Sequence, residues 1–321
     1  MKRKGSERAS ATGGRERGSA LGSGRAFPGL SKFRAVVEFV RNLELLQTVS
    51  VLTLVLTVVF GFDHWLFQTV ARICLLMFIV HPRSIRRAEF WLVLALAGTI
   101  STILDWERVD NHKYLLDYWL WVLSIVHLFD QPERQQRIIR FNARFFLCLI
   151  FLAASAQKLS SHSYRSGEMF EHYLYVDQRF GGFGKLIGID PSVSEAVKKQ
   201  LMFLRSPFAE VEGNAIHIAG SDRARAAALV MTWWDVSLQL AIGALLLFRQ
   251  RRTDEIAHVL LLFFIFTTYL PAPVFGFGWI LAIMGFTLAQ DKFPRIAAVY
   301  MVCFMAILLY QVPWREWVLA M

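Results

Sequence analysis

The sequence predicts an all-α protein, a polytopic transmembrane helical bundle of about nine spans with one long outer-face segment containing short helices. Hydrophobic residues make up 55% of the 321 residues and charged residues only 19%, and the mean hydropathy is +0.41. A soluble domain is nearly half apolar and about a quarter charged, so the composition excludes a soluble globular domain and a disordered or collagen-like chain. Apolar stretches run unbroken for about 15–20 residues, as spanning helices require, whereas a β-barrel would show short alternating segments.

Nine apolar segments are candidate spans. They cover roughly 45–62, 65–81, 88–104, 114–129, 141–157, 229–248, 256–270, 273–289 and 296–313. Pro271 and Pro273 predict a sharp break between the seventh and eighth segments, which form either two helices or one long broken helix. No internal repeat is visible, and this weighs against a transporter.

The distribution of basic residues predicts the orientation of the bundle. With the N-terminus in the cytoplasm, the cytoplasmic loops 81–88, 130–144, 249–255 and 290–295 hold twelve Lys and Arg residues. The short outer segments hold three, Arg108, Lys113 and Arg315. Cytoplasmic loops of membrane proteins carry an excess of Lys and Arg. We therefore expect a multi-pass membrane protein with a cytoplasmic N-terminus and a short outer C-terminus at 314–321, following a transmembrane domain over 45–313.

Residues 1–44 are predicted to form a disordered cytoplasmic tail. They hold ten Lys and Arg and four Glu, and so carry +6 of the net charge of +10. The segment is rich in Gly, Ser and Arg and lacks apolar periodicity, and it has no signal-peptide pattern. Aromatic residues do not interleave with the charges, so no nucleic-acid partner is expected. Membrane lipids are the expected partner of this basic tail.

One outer segment is long, covering 158–228. Asp190 followed by Pro191 is typical of a helix N-terminus. Apolar residues then recur at helical spacing, at Val193, Val197, Leu201 and Leu204. Either a lid over a cavity mouth or a packed surface helix would show this pattern.

Lys158 is the first candidate for chemistry. It ends an apolar run and precedes the polar string Ser160 to Tyr164. A lysine at a span end is often a snorkelling cation. Lys158, however, lies on the outer face, where the positive-inside bias does not favour it, and the polar string suggests a cavity wall. Desolvation disfavours the charged form of an amine, and a lysine in a dry pocket can serve as a base.

A second cluster precedes span four on the same membrane face. His112, with its neighbours Asp110, Asn111 and Tyr114, could share a proton with a buried amine or orient it. A solvated loop with a helix cap is the structural alternative. Asp235 lies about four residues into span six from the outer face, which could place it near Lys158, because a carboxylate in the apolar zone should face a partner or water. A structural buried pair is the alternative to a functional one. Asp117 in span four needs a partner for the same reason, and Arg72 is one candidate.

Three further features bear on which other residues could form a site. Arg144 lies fourteen residues before Lys158, on nearly the same helix face and about 21 Å lower, and is expected to contact lipid phosphate. The cysteines Cys74, Cys148 and Cys303 lie in apolar stretches and are expected to be buried thiols. No ligand spacing for a metal and no glycine-rich nucleotide motif occurs, so no metal site is predicted.

The two outer-face clusters carry a family resemblance. The sequence Asp-Asn-His-Lys-Tyr-Leu at 110–115 resembles the Asn-Asn-His-Ser-Tyr-Leu segment of the vitamin K-dependent gamma-glutamyl carboxylase. Ala156-Gln157-Lys158-Leu159, with Tyr164 and Gly167, resembles that family's Lys-Lys-Leu-x-x-x-Trp-x-x-Gly stretch. The segment 275–281 resembles its Phe-Pro-Trp turn region. Residues 45–290 are thus similar to the HTTM (horizontally transferred transmembrane) domain, which the carboxylase shares with many bacterial proteins.

The resemblance implies a mechanism. In the carboxylase a lysine amine deprotonates reduced vitamin K, and oxygen converts the quinol into an epoxide through a strong base. Carried over, Lys158 would be the catalytic base and His112 would position it. The substrate-binding residues would be Asn111, Asp110, Tyr114, Tyr164, Gly167 and Asp235. The cofactor would be a reduced quinone, a lipophilic quinol, in a dry pocket that protects a strong base from water.

The chain also departs from the family. The family tends to have Phe-His where this chain has Phe264-Ile265, and no segment corresponds to the carboxylase's large lumenal domain. We therefore do not expect carboxylation of secreted proteins. Two hypotheses follow: an enzyme with a carboxylase- or epoxidase-like activity on a quinol-like or lipidic substrate, or a non-enzymatic membrane module that binds lipid or a partner protein.

Overall fold

The computed structural model describes residues 37–107, 109–204, 221–269 and 274–311. Every regular element in these ranges is a helix, so the all-α prediction is confirmed for them. The α-helices are α1 (37–42), α2 (Leu45–Phe60), α3 (Trp65–Val80), α4 (Ala88–Leu104), α5 (Asn111–Val126), α6 (Pro132–Ser160), α7 (His162–Arg165), α8 (Glu168–Val176), α9 (Gly181–Leu186), α10 (Pro191–Leu204), α11 (Asp222–Leu247), α12 (Arg251–Tyr269), α13 (Phe275–Ala289) and α14 (Pro294–Gln311). Two 3₁₀ turns occupy Pro82–Arg86 and Gln178–Phe180.

Each of the nine predicted apolar segments contains a helix, namely α2 to α6 and α11 to α14. Two of them, α6 and α11, are long and apolar enough to cross a membrane by length and composition, and α2, α3, α4, α13 and α14 are shorter apolar helices. The break between the seventh and eighth segments lies at 270–273, outside the described residues. Helix α12 ends at Tyr269 and α13 begins at Phe275, so these segments form two helices.

Local sequence signals explain where several helices begin. Pro132 occupies the first turn of α6, where its missing N–H needs no partner. The Ser221 hydroxyl accepts a hydrogen bond from the Ala224 N–H at 3.1 Å and caps α11. Asp190 accepts from the Ser192 N–H at 2.9 Å, and α10 begins at Pro191. The helix start predicted at Asp190 and Pro191 is therefore confirmed.

A large apolar core joins the bundle helices, and α6 packs extensively against α11 within it. Gly243 permits this close contact, because a Cβ atom there would lie 2.8 Å from the Leu152 side chain. Buried indoles satisfy their N–H groups inside the core: Trp119 donates to the Thr53 hydroxyl at 3.1 Å and Trp279 to the Phe304 carbonyl at 3.0 Å. The Cys74 and Cys148 thiols are free and buried, as predicted, whereas Cys303 is half-buried.

Arg144 contacts a buried carboxylate, and this corrects the prediction that it binds lipid phosphate. Its guanidinium donates to both oxygens of Asp254 on α12, at 2.7 and 3.0 Å, and to the Leu246 carbonyl at 2.9 Å. Asp254 is 1% exposed, and Lys292 lies 3.4 Å from it. A buried carboxylate requires such partners because desolvation of an unpaired charge is costly. The sequence around Arg144 does not predict Asp254 as its partner, because the two residues are 110 positions apart.

The described part of segment 158–228, which the sequence predicts on the outer face, builds a small core of its own. Leu174, Phe180, Ile189 and Val197 form it, together with other residues of α8 to α10, and they pack against Ala224 and Ala228 at the start of α11. Val193 contacts this core as well. Helix α10 thus lies on α8 as a packed surface helix.

The ends of the chain extend past the described residues. Residues 1–36 and 312–321, which include Arg315 and the outer C-terminus, lie outside them, as does Arg108. Residues 37–44, which the sequence assigns to the tail, include α1. Val40 there is buried, and Gln290 donates to the Leu43 carbonyl at 2.7 Å.

The Arg144–Asp254 pair gives a stability prediction. We expect Arg144→Met to lower the free energy of unfolding by about 3 kcal/mol, because breaking one side of a buried ion pair costs about 3–5 kcal/mol and Lys292 compensates in part. Denaturant unfolding of the full chain in detergent measures this. The control is Arg249→Met in an exposed loop, with an expected change below about 0.5 kcal/mol. Equal losses in the two variants would contradict the role of the pair.

Candidate functional site

Lys158 sits at the end of α6 in a network with two residues of α11. Its ammonium donates to an Asp235 carboxylate oxygen and to the Gln239 side-chain oxygen, the latter at 3.0 Å. The Gln239 amide in turn donates to the other Asp235 oxygen at 2.9 Å. The Lys158 and Asp235 side chains are 15% and 18% exposed. The three groups thus form a closed, partly buried triangle in which each polar atom has a partner.

This triangle opens on a cavity of about 520 Å³. Most of the wall is aromatic or aliphatic, and its polar groups are few. The aromatic part consists of Tyr164, Phe170, Tyr173, Phe180, Phe183, Trp234, Phe264 and Phe277. The volume lies within the roughly 300–1,000 Å³ of small-molecule sites, which are apolar with a few convergent polar groups. The cavity therefore suits a ligand with a small polar head and a large apolar body.

Tyr164 places its ring 5.7 Å from the Lys158 ammonium nitrogen, a distance at which the cation and the ring attract. Burial raises the pKa of the Tyr164 phenol above its ordinary value, with smaller effects from Tyr173 and Asp235. The hydroxyl therefore stays protonated at neutral pH. It offers the cavity a hydrogen-bond donor beside the ammonium.

Gly167 lies just beyond Tyr164 and has a structural task. Its φ of +81° is in the left-handed region, and a Cβ atom would lie 3.2 Å from Leu229 on α11. Glycine adopts this conformation without strain. Gly167 therefore turns the chain from α7 into α8 and allows α8 to approach α11. It does not line the cavity, so its predicted role in substrate binding has no contact to support it.

His112 and its neighbours lie apart from the triangle. The His112 ring packs 5.5 Å from the Phe60 ring, and its buried Nε2 atom has no hydrogen-bond partner in the described part of the chain. Asp110 is 3.9 Å away. No hydrogen bond joins His112 to Lys158, and His112 does not line the cavity. Asp110 and Asn111 are exposed, and the Tyr114 hydroxyl donates to the Trp106 carbonyl at 3.3 Å.

Arg179 lines the cavity and forms an ion pair beside it. Its guanidinium donates to both oxygens of Asp177, at 2.6 to 3.0 Å. Partial burial opposes ionisation of Asp177, but hydrogen bonds and charge from Arg179, with a smaller effect of Lys198, hold the pKa of that carboxyl below its ordinary value. The pair thus stays ionised beside the cavity.

Asp117 finds a different partner from the one proposed for it. Its two carboxylate oxygens accept from the Thr99 hydroxyl at 3.2 and 3.0 Å. Arg72 donates instead to Gln68 at 3.4 Å, and this corrects the predicted Arg72–Asp117 pair. A hydroxyl on the adjacent α4 satisfies the carboxylate without a cation. Asp117 lies outside the cavity lining.

Sequence reasoning did not assign Gln239, Arg179 and Trp234 to the site. A signal existed for Gln239, because it follows Asp235 by four residues and therefore shares its helix face. Arg179 and Trp234 gave no such signal. They reach the cavity from the 3₁₀ turn and from α11, which only tertiary packing brings together.

Comparison with known proteins adds no relative. No family model matches the chain, no curated protein matches it, and no solved structure matches it. The resemblance to the HTTM domain therefore stays a hypothesis. The geometry of the site is the basis for a functional proposal.

Gly167 and Gly181 give a matched pair of variants. Gly167→Ala forces a Cβ atom into the left-handed region and against Leu229, so we expect a loss of about 1–3 kcal/mol in the free energy of unfolding. Gly181 has φ −58° and open space around it, so Gly181→Ala should be neutral or stabilising by up to about 1 kcal/mol. Denaturant unfolding measures both. Similar values for the two variants would contradict the proposed role of Gly167.

The Asp177–Arg179 pair predicts that the stability of the fold falls at acidic pH. The folded-state pKa of Asp177 is depressed, so its stabilisation is present above the ordinary Asp value of about 3.9 and is lost as pH falls through the folded-state pKa. Thermal unfolding of the full chain between pH 6 and pH 3 should show a smaller acid loss for Asp177→Asn than for the wild type. Glu195→Gln, an exposed carboxylate of the same segment, is the control. A wild-type slope in Asp177→Asn would overturn the assignment.

Proposed function

We propose that the chain is an integral membrane protein with nine spans, α2 to α6 and α11 to α14, and a cytoplasmic N-terminus. The seven apolar helices support this placement: α6 and α11 are long enough to cross alone, and α2, α3, α4, α13 and α14 are shorter. Helices α5 and α12 fall on the other two apolar segments of the sequence. The twelve-to-three bias of basic residues sets its direction. In this placement the Lys158 cavity opens at the outer face and Arg144 lies near the cytoplasm. Membrane lipids surround the bundle.

We infer that the cavity binds a lipid-soluble, quinol-like molecule and that Lys158 takes a proton from its hydroxyl group. The observation that carries this function is the position of Lys158: its polar triangle lies at the wall of a mainly apolar, aromatic-rich cavity of about 520 Å³. A hydroxyl placed at the triangle would meet a proton acceptor, while flat rings would pack against the aromatic walls. The resemblance to the HTTM domain of the carboxylase supports the same chemistry.

The close pairing with Asp235 defines what the proton transfer requires. A carboxylate beside an ammonium favours the charged form, so Lys158 becomes a base only when its proton has moved to Asp235. A ligand that excludes water from the cavity lowers the cost of this neutral pair relative to the ionic one, because desolvation penalises both charges. The neutral amine then accepts the substrate's hydroxyl proton and becomes an ammonium next to the new oxyanion. Asp235 acts as the proton store and Gln239 fixes its orientation.

The complete pairing of Lys158 also favours a second function, binding without chemistry. With two acceptors on its ammonium, Lys158 can serve as a fixed cation that holds the polar head of a lipid. The protein would then be a membrane module that binds lipid or a partner protein, with the outer segment as its contact surface. Binding of the same ligand without turnover distinguishes this function from catalysis.

Lys158→Met tests the base. We expect turnover of a reduced isoprenoid quinone, measured as oxygen consumption by the full chain in nanodiscs, to fall by at least about 100-fold, which is the lower range of general-base contributions. Binding, measured as quenching of tryptophan fluorescence by the oxidised quinone, and thermal unfolding should persist. Normal turnover in this variant would overturn the base assignment.

The matched control is Lys113→Met. Lys113 is also a buried outer-face lysine paired with an aspartate, Asp63, but it does not line the cavity. We expect near wild-type turnover and quenching from this control. Quenching that is lost in Trp234→Phe would place the quinone in the cavity. Quenching without turnover in the wild-type protein would favour the non-enzymatic function.

A further inference from the structure

A second, separate cavity lies between α3 and α4. It is an open groove of about 680 Å³, and nearly all of its wall is apolar. The wall consists of Val70, Ile73, Leu76, Met77, Val80 and Val93, together with Cys74 and Phe90. Several of these side chains are exposed: 82% for Val80, 61% for Leu76 and 52% for Ile73. Large exposed apolar patches of this kind mark contact sites for lipid or protein.

The length of the groove matches one leaflet of a bilayer. Its wall on α3 extends from Val70 to Val80, and ten residues of α-helix rise about 15 Å. The hydrocarbon core of a bilayer is about 30 Å thick, so each leaflet contributes about 15 Å. An acyl chain of one leaflet therefore fits along the groove from end to end.

Basic side chains stand beside one end of the apolar groove. His81 and Arg87 border it there, and Arg83 lies in the adjoining 3₁₀ turn. Arg86 is engaged elsewhere, since it donates to Glu44 and Gln47 at 3.0 and 2.6 Å. Arg83 and Arg87 are exposed and form no ion pair within the described ranges. Glu89 also borders this end.

Ser84 lies beneath this end of the groove, and its buried hydroxyl has no hydrogen-bond partner in the described part of the chain. Because that oxygen is shielded from solvent, a ligand in the groove would meet the exposed arginines and the start of α4. The N-terminus of α4 begins directly after Arg87, and its free N–H groups favour a nearby anion.

We propose that this groove is a binding site for an anionic phospholipid of the cytoplasmic leaflet. One acyl chain lies along the α3 and α4 walls, and the phosphate contacts the exposed Arg83 and Arg87. The site uses the bilayer placement proposed above, in which loop 81–88 is cytoplasmic. It does not use the chemistry of Lys158.

Native mass spectrometry of the full chain in detergent tests the site with phosphatidylglycerol and phosphatidylcholine as probes. We expect tighter binding of phosphatidylglycerol. The double variant Arg83→Gln/Arg87→Gln should weaken that binding by roughly five-fold for each arginine removed, since a cation near an anionic surface contributes about this factor. Ile73→Trp, which fills the groove, should weaken both lipids.

The matched control is Arg249→Gln/Arg252→Gln, which removes the same charge from another cytoplasmic loop. Equal weakening in the two double variants would show only unspecific annular attraction and would overturn the proposal, as would competition by millimolar inorganic phosphate alone. Thermal unfolding confirms that each variant is folded, which is expected because both pairs of arginines are exposed. The groove shares no lining residue with the Lys158 cavity, so a failed quinol assay would leave this result standing.

Discussion

Helix α6 carries two cations on one face, and each binds a carboxylate on a neighbouring helix. Arg144 pairs with Asp254 on α12 and Lys158 pairs with Asp235 on α11. The two cations are fourteen residues apart, about 21 Å along the axis. Because both contacts form at once, α6 cannot rotate or slide by a turn without leaving a buried charge unpaired, at a cost of several kcal/mol. The wall of the Lys158 cavity, which α6 and α11 share, takes its shape from this fixed register.

The helices were more predictable from the sequence than their contacts. Long apolar runs indicate helices directly, so each of the nine segments contains one. Capping chemistry is local as well, and Asp190 with Pro191 located the start of α10. Ion pairs are different: Arg144 and Asp254 are separated by 110 residues, and nothing in the local pattern selects Asp254 over lipid phosphate. Arg72 failed as a partner of Asp117 because a threonine hydroxyl on α4 was close enough to suffice.

In the candidate site, too, some features were predictable from local sequence and others depended on tertiary packing. Proximity of Asp235 to Lys158 followed from the cost of an unpaired carboxylate in an apolar span, and the two groups are hydrogen bonded. His112 shares the proposed membrane face with Lys158, but a face is tens of ångströms wide, so topology alone does not bring two residues into contact. The aromatic wall was not predictable, because it combines residues of α7 to α9 and the 3₁₀ turn between α8 and α9 with residues of α11, α12 and α13.

Helix α11 belongs to both packed units of the molecule. Its first turns, with Ala224 and Ala228, complete the small core of the outer segment, and its later turns pack against α6. At 26 residues it is about 39 Å long, some 9 Å more than a hydrocarbon core. The small core thus packs on one end of α11 and the cavity wall on its middle, so a change in the tilt of α11 would shift the two together. In the proposed bilayer placement, a change in membrane thickness would therefore alter the shape of the cavity.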